Sequence, residues 1–250
     1  MSFNDTLKTI LEAYSGKGLH PGLWSTSGSD NNLKPEIKKS LLKVATDFAS
    51  QHKIPKDAIK DITITGSMAN LNWSKYSDID VHLVVDFTDI DENEELLRDY
   101  YDLAKSTWED EHDITVCDHE VEIYVQNDQE AHHSTGLYSI LNNGWLKEPK
   151  AVDVEKPSMS EIKNKANKYA GMIDKLGKKL DENGDLSLIV NHCEKLKRKL
   201  KRMRKAGLES AGEYSLENLA YKFLRNRGYI DKIYNYKTAA YDRQLSVDDC

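Results

Sequence analysis

Gly66-Ser67-Met68-Ala69-Asn70-Leu71-Asn72-Trp73-Ser74-Lys75-Tyr76-Ser77-Asp78-Ile79-Asp80-Val81 is the stretch that organises the chain. Ile79–Val85 reads as a β-strand with Asp78 at its start, and successive side chains on a strand point to opposite faces. Asp78 and Asp80 then share one face, roughly 7 Å apart at the rise of an extended chain, while Ile79 and Val81 face a core. Two carboxylates on one rigid edge repel each other unless a cation neutralises them. Magnesium suits such a pair, because it takes a few carboxylates together with phosphate oxygens and water.

Upstream, Asp61-Ile-Thr-Ile-Thr-Gly66 is a short alternating strand stopped by glycine. Glycine lets the backbone approach a phosphate closely, and the Ser67 hydroxyl adds a donor beside exposed N–H groups. Before it, Pro35 opens an amphipathic helix over Glu36–His52 with Ile37, Leu41, Leu42, Val44, Ala45 and Phe48 on its apolar face. Downstream, Glu92–Glu111 reads as an acidic helix with Leu96, Leu97, Tyr100, Leu103, Ala104 and Trp108 as its inward stripe. Val121–Val125 is a third strand. It sets Glu122 between apolar neighbours, within reach of Asp78 and Asp80 if the strands lie side by side, since neighbours are about 4.8 Å apart. Glu120 shares its face and competes for the same role. Three such acids beside a glycine turn would make a clamp for two cations and a triphosphate.

The joint pattern resembles the DNA polymerase beta-like nucleotidyltransferase superfamily: a Gly-Ser pair, a spacer of about ten residues, Asp-hydrophobic-Asp-hydrophobic, and a later acid within a strand. The resemblance covers roughly residues 35–150. It implies an α/β fold with a small mixed sheet flanked by helices. It implies transfer of a nucleoside monophosphate from an NTP to an acceptor hydroxyl, with release of pyrophosphate. Asp78 and Asp80 would hold two Mg2+ or Mn2+ ions, Glu122 would bind the ion that activates the acceptor and assist as its base, and Gly66 and Ser67 would contact the nucleotide phosphates. Lys75 and Ser77, in the spacer, are further candidates for the triphosphate. The resemblance leaves the acceptor open between RNA, protein and smaller molecules. An antitoxin-like branch is also open, but a fused toxin domain would bring a histidine motif, and no histidine follows His192.

Composition sets the outer bounds. The 250 residues are 31% charged and 39% apolar, which is ordinary for a globular protein, and no apolar run reaches the roughly 18 residues of a membrane span. Met1–Leu11 is too polar for a signal peptide, so a cytoplasmic location is expected. Cys117, Cys193 and Cys250 are sparse and widely separated, which reads as reduced thiols rather than a disulfide framework or a zinc site. His82 reads as a sheet histidine; His119, His132 and His133 read as loop residues, there being no zinc-ligand spacing.

The organisation follows: residues 1–34 an N-terminal arm with a short helix over Asp5–Tyr14 and loop over Ser15–Asn32, residues 35–156 the catalytic core, and residues 157–250 a helical C-terminal domain. In the core, 136–149 reads as a helical turn and exit loop. In the helical domain, heptad spacing from Ile162 to Leu180 and again from Ile189 to Met203, broken at Asn183-Gly184, predicts a helical hairpin, a possible oligomer contact. A last helical region spans Ser215–Leu245. The net charge of −7 is unevenly spread. Residues 86–113 have only Arg98 and Lys105 as bases among many acids, whereas 195–205 carry Lys195, Lys197, Arg198, Lys199, Lys201, Arg202, Arg204 and Lys205 without an acid. That run is either a contact for the phosphates of an RNA acceptor or a solvated face paired with the acidic helix. Tyr214, Tyr221, Tyr229, Tyr234, Tyr236 and Tyr241 are suited to packing between helices or to stacking on bases. A catalytically idle fold used for binding, or an assembly protein built on the hairpin, would fit the same elements without turnover.

Overall fold

A computed structural model describes residues 5, 6, 8, 18–25, 31–132, 134–150, 157–182 and 184–246. Its contacts divide into an α/β unit within residues 13–152 and a helical unit within residues 153–250, with which residues of 1–12 group. Cys250, His133 and most of the helix expected over Asp5–Tyr14 lie outside the described residues; Asp5, Thr6 and Lys8 are helical.

The α/β unit is a mixed sheet of six strands, order β5-β6-β4-β3-β7-β8. Its centre is β3 (Ile59–Thr65) antiparallel to β4 (Ile79–Val85), and β4 in turn parallel to β6 (His119–Asn127). One face is apolar because the period-two pattern of each strand delivers Ile62, Ile64, Ile79, Val81, Leu83, Val85, Val121 and Ile123 to it, all buried. Two helices flank the sheet. The first, α1 (Pro35–Gln51), begins with proline in its first turn and buries Ile37, Leu41, Val44, Ala45 and Phe48, as its periodicity predicts, while Leu42 at the edge of that face is only half-buried. The second, α2 (Glu94–Glu111), is capped by the Asn93 side chain and buries a narrower stripe than expected: Leu97, Tyr101, Ala104 and Trp108. Leu96, Tyr100 and Leu103 are exposed, because the helix touches the core along one line only and an apolar residue outside that line finds nothing to pack on.

Two expected loops are ordered strands. Within 15–32, Trp24–Ser25 (β1) pairs with Asn32–Leu33 (β2), and Leu23, Trp24 and Leu33 join the main core. Within 136–149, a hairpin of β7 (Leu137–Ser139) and β8 (Gly144–Lys147) replaces the expected helical turn. Asn143 takes φ 54° in the connection, a left-handed position asparagine tolerates, and β7 pairs with β3. At the opposite edge a short β5 (Thr115–Val116) pairs with the start of β6.

The helical unit contains α3 (Met159–Asp181), opened by a Ser158–Glu161 capping box, and α4 (Leu186–Ala211), capped by Asp185. The heptad residues Ile162, Ala166, Tyr169, Ile173, Leu176 and Leu180 are buried, as are Ile189, Cys193, Leu196 and Leu200. Two further helices close on them, α5 (Leu216–Asn226) and α6 (Tyr229–Leu245). The last helical region expected over 215–245 is these two helices, divided at Gly228, whose φ of 69° is left-handed. Gly177 lets the Tyr236 ring lie directly against α3, and Arg243 donates to the Leu180 carbonyl at 2.9 Å. The heptad residues are therefore covered from within the chain. No helix among the described residues is long and apolar enough to cross a membrane.

Candidate active site

The polar face of the central strands collects the acids. Thr65 pairs with Asp80 across β3 and β4, and Asp80 pairs with Glu122 across β4 and β6. Residues at paired positions project from the same face, so Asp80 and Glu122 stand side by side, with Asp78 in the extended segment leading into β4. Glu120 is exposed opposite Thr115 on the short β5 edge. Of the two competing acids, Glu122 is the one that strand pairing sets beside Asp80.

Gly66 follows directly on β3 with φ 68°. A Cβ there would run into the Asp80 carboxylate, so glycine is required both for the turn and for the approach. The next residues fold back on themselves: the Ser67 hydroxyl donates to Ser77 Oγ at 2.8 Å, and Ser77 Oγ accepts from the Ser74 N–H at 2.9 Å. Ser67 and Ser77 are thus brought together at the mouth of β4. Lys75 is not brought to them; its ammonium lies 4.8 Å from the ring centre of exposed Tyr76.

What holds this connection was not visible in its own sequence. Met68 and Ala69 are fully buried, and the Trp24 indole donates to the Met68 carbonyl at 2.8 Å. The Trp73 indole donates to the Gly18 carbonyl at 2.9 Å. His119, expected in a loop, begins β6 as a buried residue, and its Nδ1 donates to the Ser77 carbonyl at 2.6 Å. The residues 18–25, expected to be part of an arm, therefore clamp the glycine-serine turn.

Glu122 is engaged. Lys105 of α2 reaches it at 3.2 Å, and the Tyr124 hydroxyl donates to the same carboxylate oxygen. Lys105 also sits 4.3 Å from the centre of the Tyr124 ring and pairs with Glu109. Burial first, then the charges of Asp80 and Glu122, push the Tyr124 phenol far above its ordinary range. Tyr124 stacks on His82 at 4.8 Å between ring centres. His82 Nδ1 donates to Gln126 Oε1 at 2.8 Å, which leaves Nε2 to accept from Thr65, 3.3 Å away. Burial pushes His82 down to about 4, so it is neutral at pH 7. Beyond these rings lies a cavity of about 250 Å³ lined by His82, Tyr124, Gln126, Arg98, Asp102 and Glu130. Lys105 and Tyr124 are the site-lining residues that the motif did not identify. The available signal was a lone lysine one place beyond Ala104, on the buried side of an acidic helix.

Asp78, Asp80 and Glu122 offer carboxylate oxygens only, the chemistry that Mg2+ or Mn2+ takes. Among the described residues no three His, Cys, Asp or Glu side chains are gathered as a ready cage. A divalent ion held here would take only a minority of its ligands from these carboxylates.

No protein-family model matches the chain. No curated protein matches it. Among solved structures it is similar to the STING-associated CdnE c-di-GMP synthase from Capnocytophaga granulosa, with 12% identity over 97% of this chain and 100% of that one and a TM-score of 0.23. A superposition that loose carries no argument about this chain.

Proposed function

We propose that the α/β unit is a metal-dependent nucleotidyltransferase, moving a nucleoside monophosphate from an NTP to an acceptor hydroxyl with release of pyrophosphate. One observation carries the reading: Asp80 and Glu122 stand at paired positions on adjacent parallel strands, and the turn at Gly66 and Ser67 opens directly against Asp80. In this reading Asp78, Asp80 and Glu122 hold two Mg2+ or Mn2+ ions. Bound there, the ions supply charge neutralisation for an in-line displacement at phosphorus. The Gly66–Ser67 backbone and the Ser67 and Ser77 hydroxyls orient the phosphates. The acceptor oxygen bonds to the α-phosphorus, the bond from that phosphorus to the bridging oxygen of the β-phosphate breaks, and Glu122 receives the hydroxyl proton. Lys75 would have to swing from Tyr76 to contribute.

A second reading, a catalytically inactive fold used for binding, is favoured by a different observation. Lys105 already provides a cation to Glu122, so the carboxylate is balanced without an ion.

The discriminating experiment incubates the protein with each labelled NTP, Mg2+ or Mn2+, and RNA or protein acceptors, beside Asp78→Ala/Asp80→Ala. Turnover in the wild type and a loss of about 10³-fold or more in the variant are expected, a loss of about 4 kcal/mol of transition-state stabilisation. Equal turnover in both would remove the site. Nucleotide binding without turnover in the wild type would establish the second reading instead.

A further inference from the structure

We infer that the outward face of α4 binds the phosphate backbone of a nucleic acid. At 100° per residue, Lys195, Arg198, Lys201, Arg202 and Lys205 fall within about a third of the helix circumference. That arc lies opposite the buried Ile189, Cys193, Leu196 and Leu200. Between the five side chains opens a cleft of about 460 Å³. Three cations elsewhere in the unit sit in ion pairs: Lys165 with Glu217, Lys232 with Asp174, Lys237 with Glu194. On this face Lys205 reaches Glu209 at 3.8 Å, and Lys195, Arg198, Lys201 and Arg202 have no ion-pair partner among the described residues. Of the acids of α2, the alternative partners suggested by sequence, Glu94 pairs with Arg98 and Glu109 with Lys105.

Like charges three and four residues apart destabilise a helix by a few tenths of a kcal/mol per pair. A chain of net charge −7 that concentrates five cations there gains what an external polyanion can offset. The row is about 15 Å long at 1.5 Å per residue, enough to face roughly four phosphates of one strand. A lipid surface would need an apolar border beside the cations. Here Ile189, Cys193, Leu196 and Leu200 are buried in the bundle and only the single residues Leu188 and Leu208 are exposed at the two borders of the arc, too little for an apolar face, so the observations favour a nucleic acid.

The inference stands apart from the transferase reading, and its test keeps them apart. Affinity of the full chain for a labelled single-stranded RNA and for a DNA duplex is measured by fluorescence anisotropy across a salt series. The expected log–log slope against salt is about −3 for the single strand. Arg198→Glu/Arg202→Glu is expected to weaken binding at least about tenfold and flatten the slope by about 1–2. Arg198→Gln/Arg202→Gln should do so less, with thermal unfolding unchanged in both. Asp78→Ala/Asp80→Ala should bind like the wild type. Undiminished binding by the charge-reversed chain, affinity insensitive to salt, or capture by phosphatidylserine-containing vesicles but by neither nucleic acid would overturn it.

Discussion

The acids of the sheet and the bases of α4 are assembled by opposite routes. Asp80 and Glu122 are distant in the chain and meet because β4 and β6 pair in parallel; Lys195 to Lys205 meet because a helix repeats every 3.6 residues. The first arrangement depends on everything that fixes the strands and the turn between them, and it comes with an opposing charge, Lys105. The second depends only on the helix and leaves its charges to solvent. Substitutions should therefore cost stability around the sheet site and little on the helix face.

The largest effect should come from Trp24→Ala. Trp24 is 1% exposed, stacks on Trp145 at 4.7 Å between ring centres and holds Met68 through its indole. Its truncation is expected to cost about 3–5 kcal/mol in denaturant unfolding; a cost under about 1 kcal/mol would show that the clamp on the turn is not part of what stabilises the site. Next comes Gly66→Ala, expected to cost about 1–3 kcal/mol, because it combines a left-handed backbone with a collision at Asp80. If unfolding of this variant matches the wild type, the turn has another accessible geometry and the contrast with α4 narrows. The smallest effect sharpens the helical side. The hydrogen bond from Lys165 holds the Glu217 carboxyl below its ordinary range. Its contribution is complete above the unfolded carboxylate value and is lost as pH falls through the lowered folded value. Wild type minus Glu217→Gln should therefore lose a few tenths of a kcal/mol, at most about 1, between neutral pH and pH 3, because exposure screens the pair. A difference that does not change over that window would show that the pair is not formed in solution.

Much of the frame was legible because its signals are local. The period of two in Ile79–Val85, the glycine after Thr65, the proline that opens α1 and the heptads of α3 and α4 each report a preference that holds without knowledge of the rest of the fold. The failures share one cause. A two-residue strand such as β1, or the β7–β8 hairpin, has too few residues to show a period and exists only because a partner strand lies beside it. The exposed Leu96, Tyr100 and Leu103 were misread for a related reason: periodicity says that residues share a side of a helix, not that something covers it.

By itself the sequence determined that Asp80 faces away from the apolar side of its strand, where a glycine must turn the chain, and which stretch of α4 gathers lysines and arginines; these follow from the fixed geometry of strands and helices. Tertiary structure alone decided that Glu122 rather than Glu120 stands beside Asp80, that Lys105 and Tyr124 reach Glu122, and that Trp24 secures the Gly66–Ser67 turn. Each of those depends on the register and docking of segments distant in sequence, and no local preference encodes them.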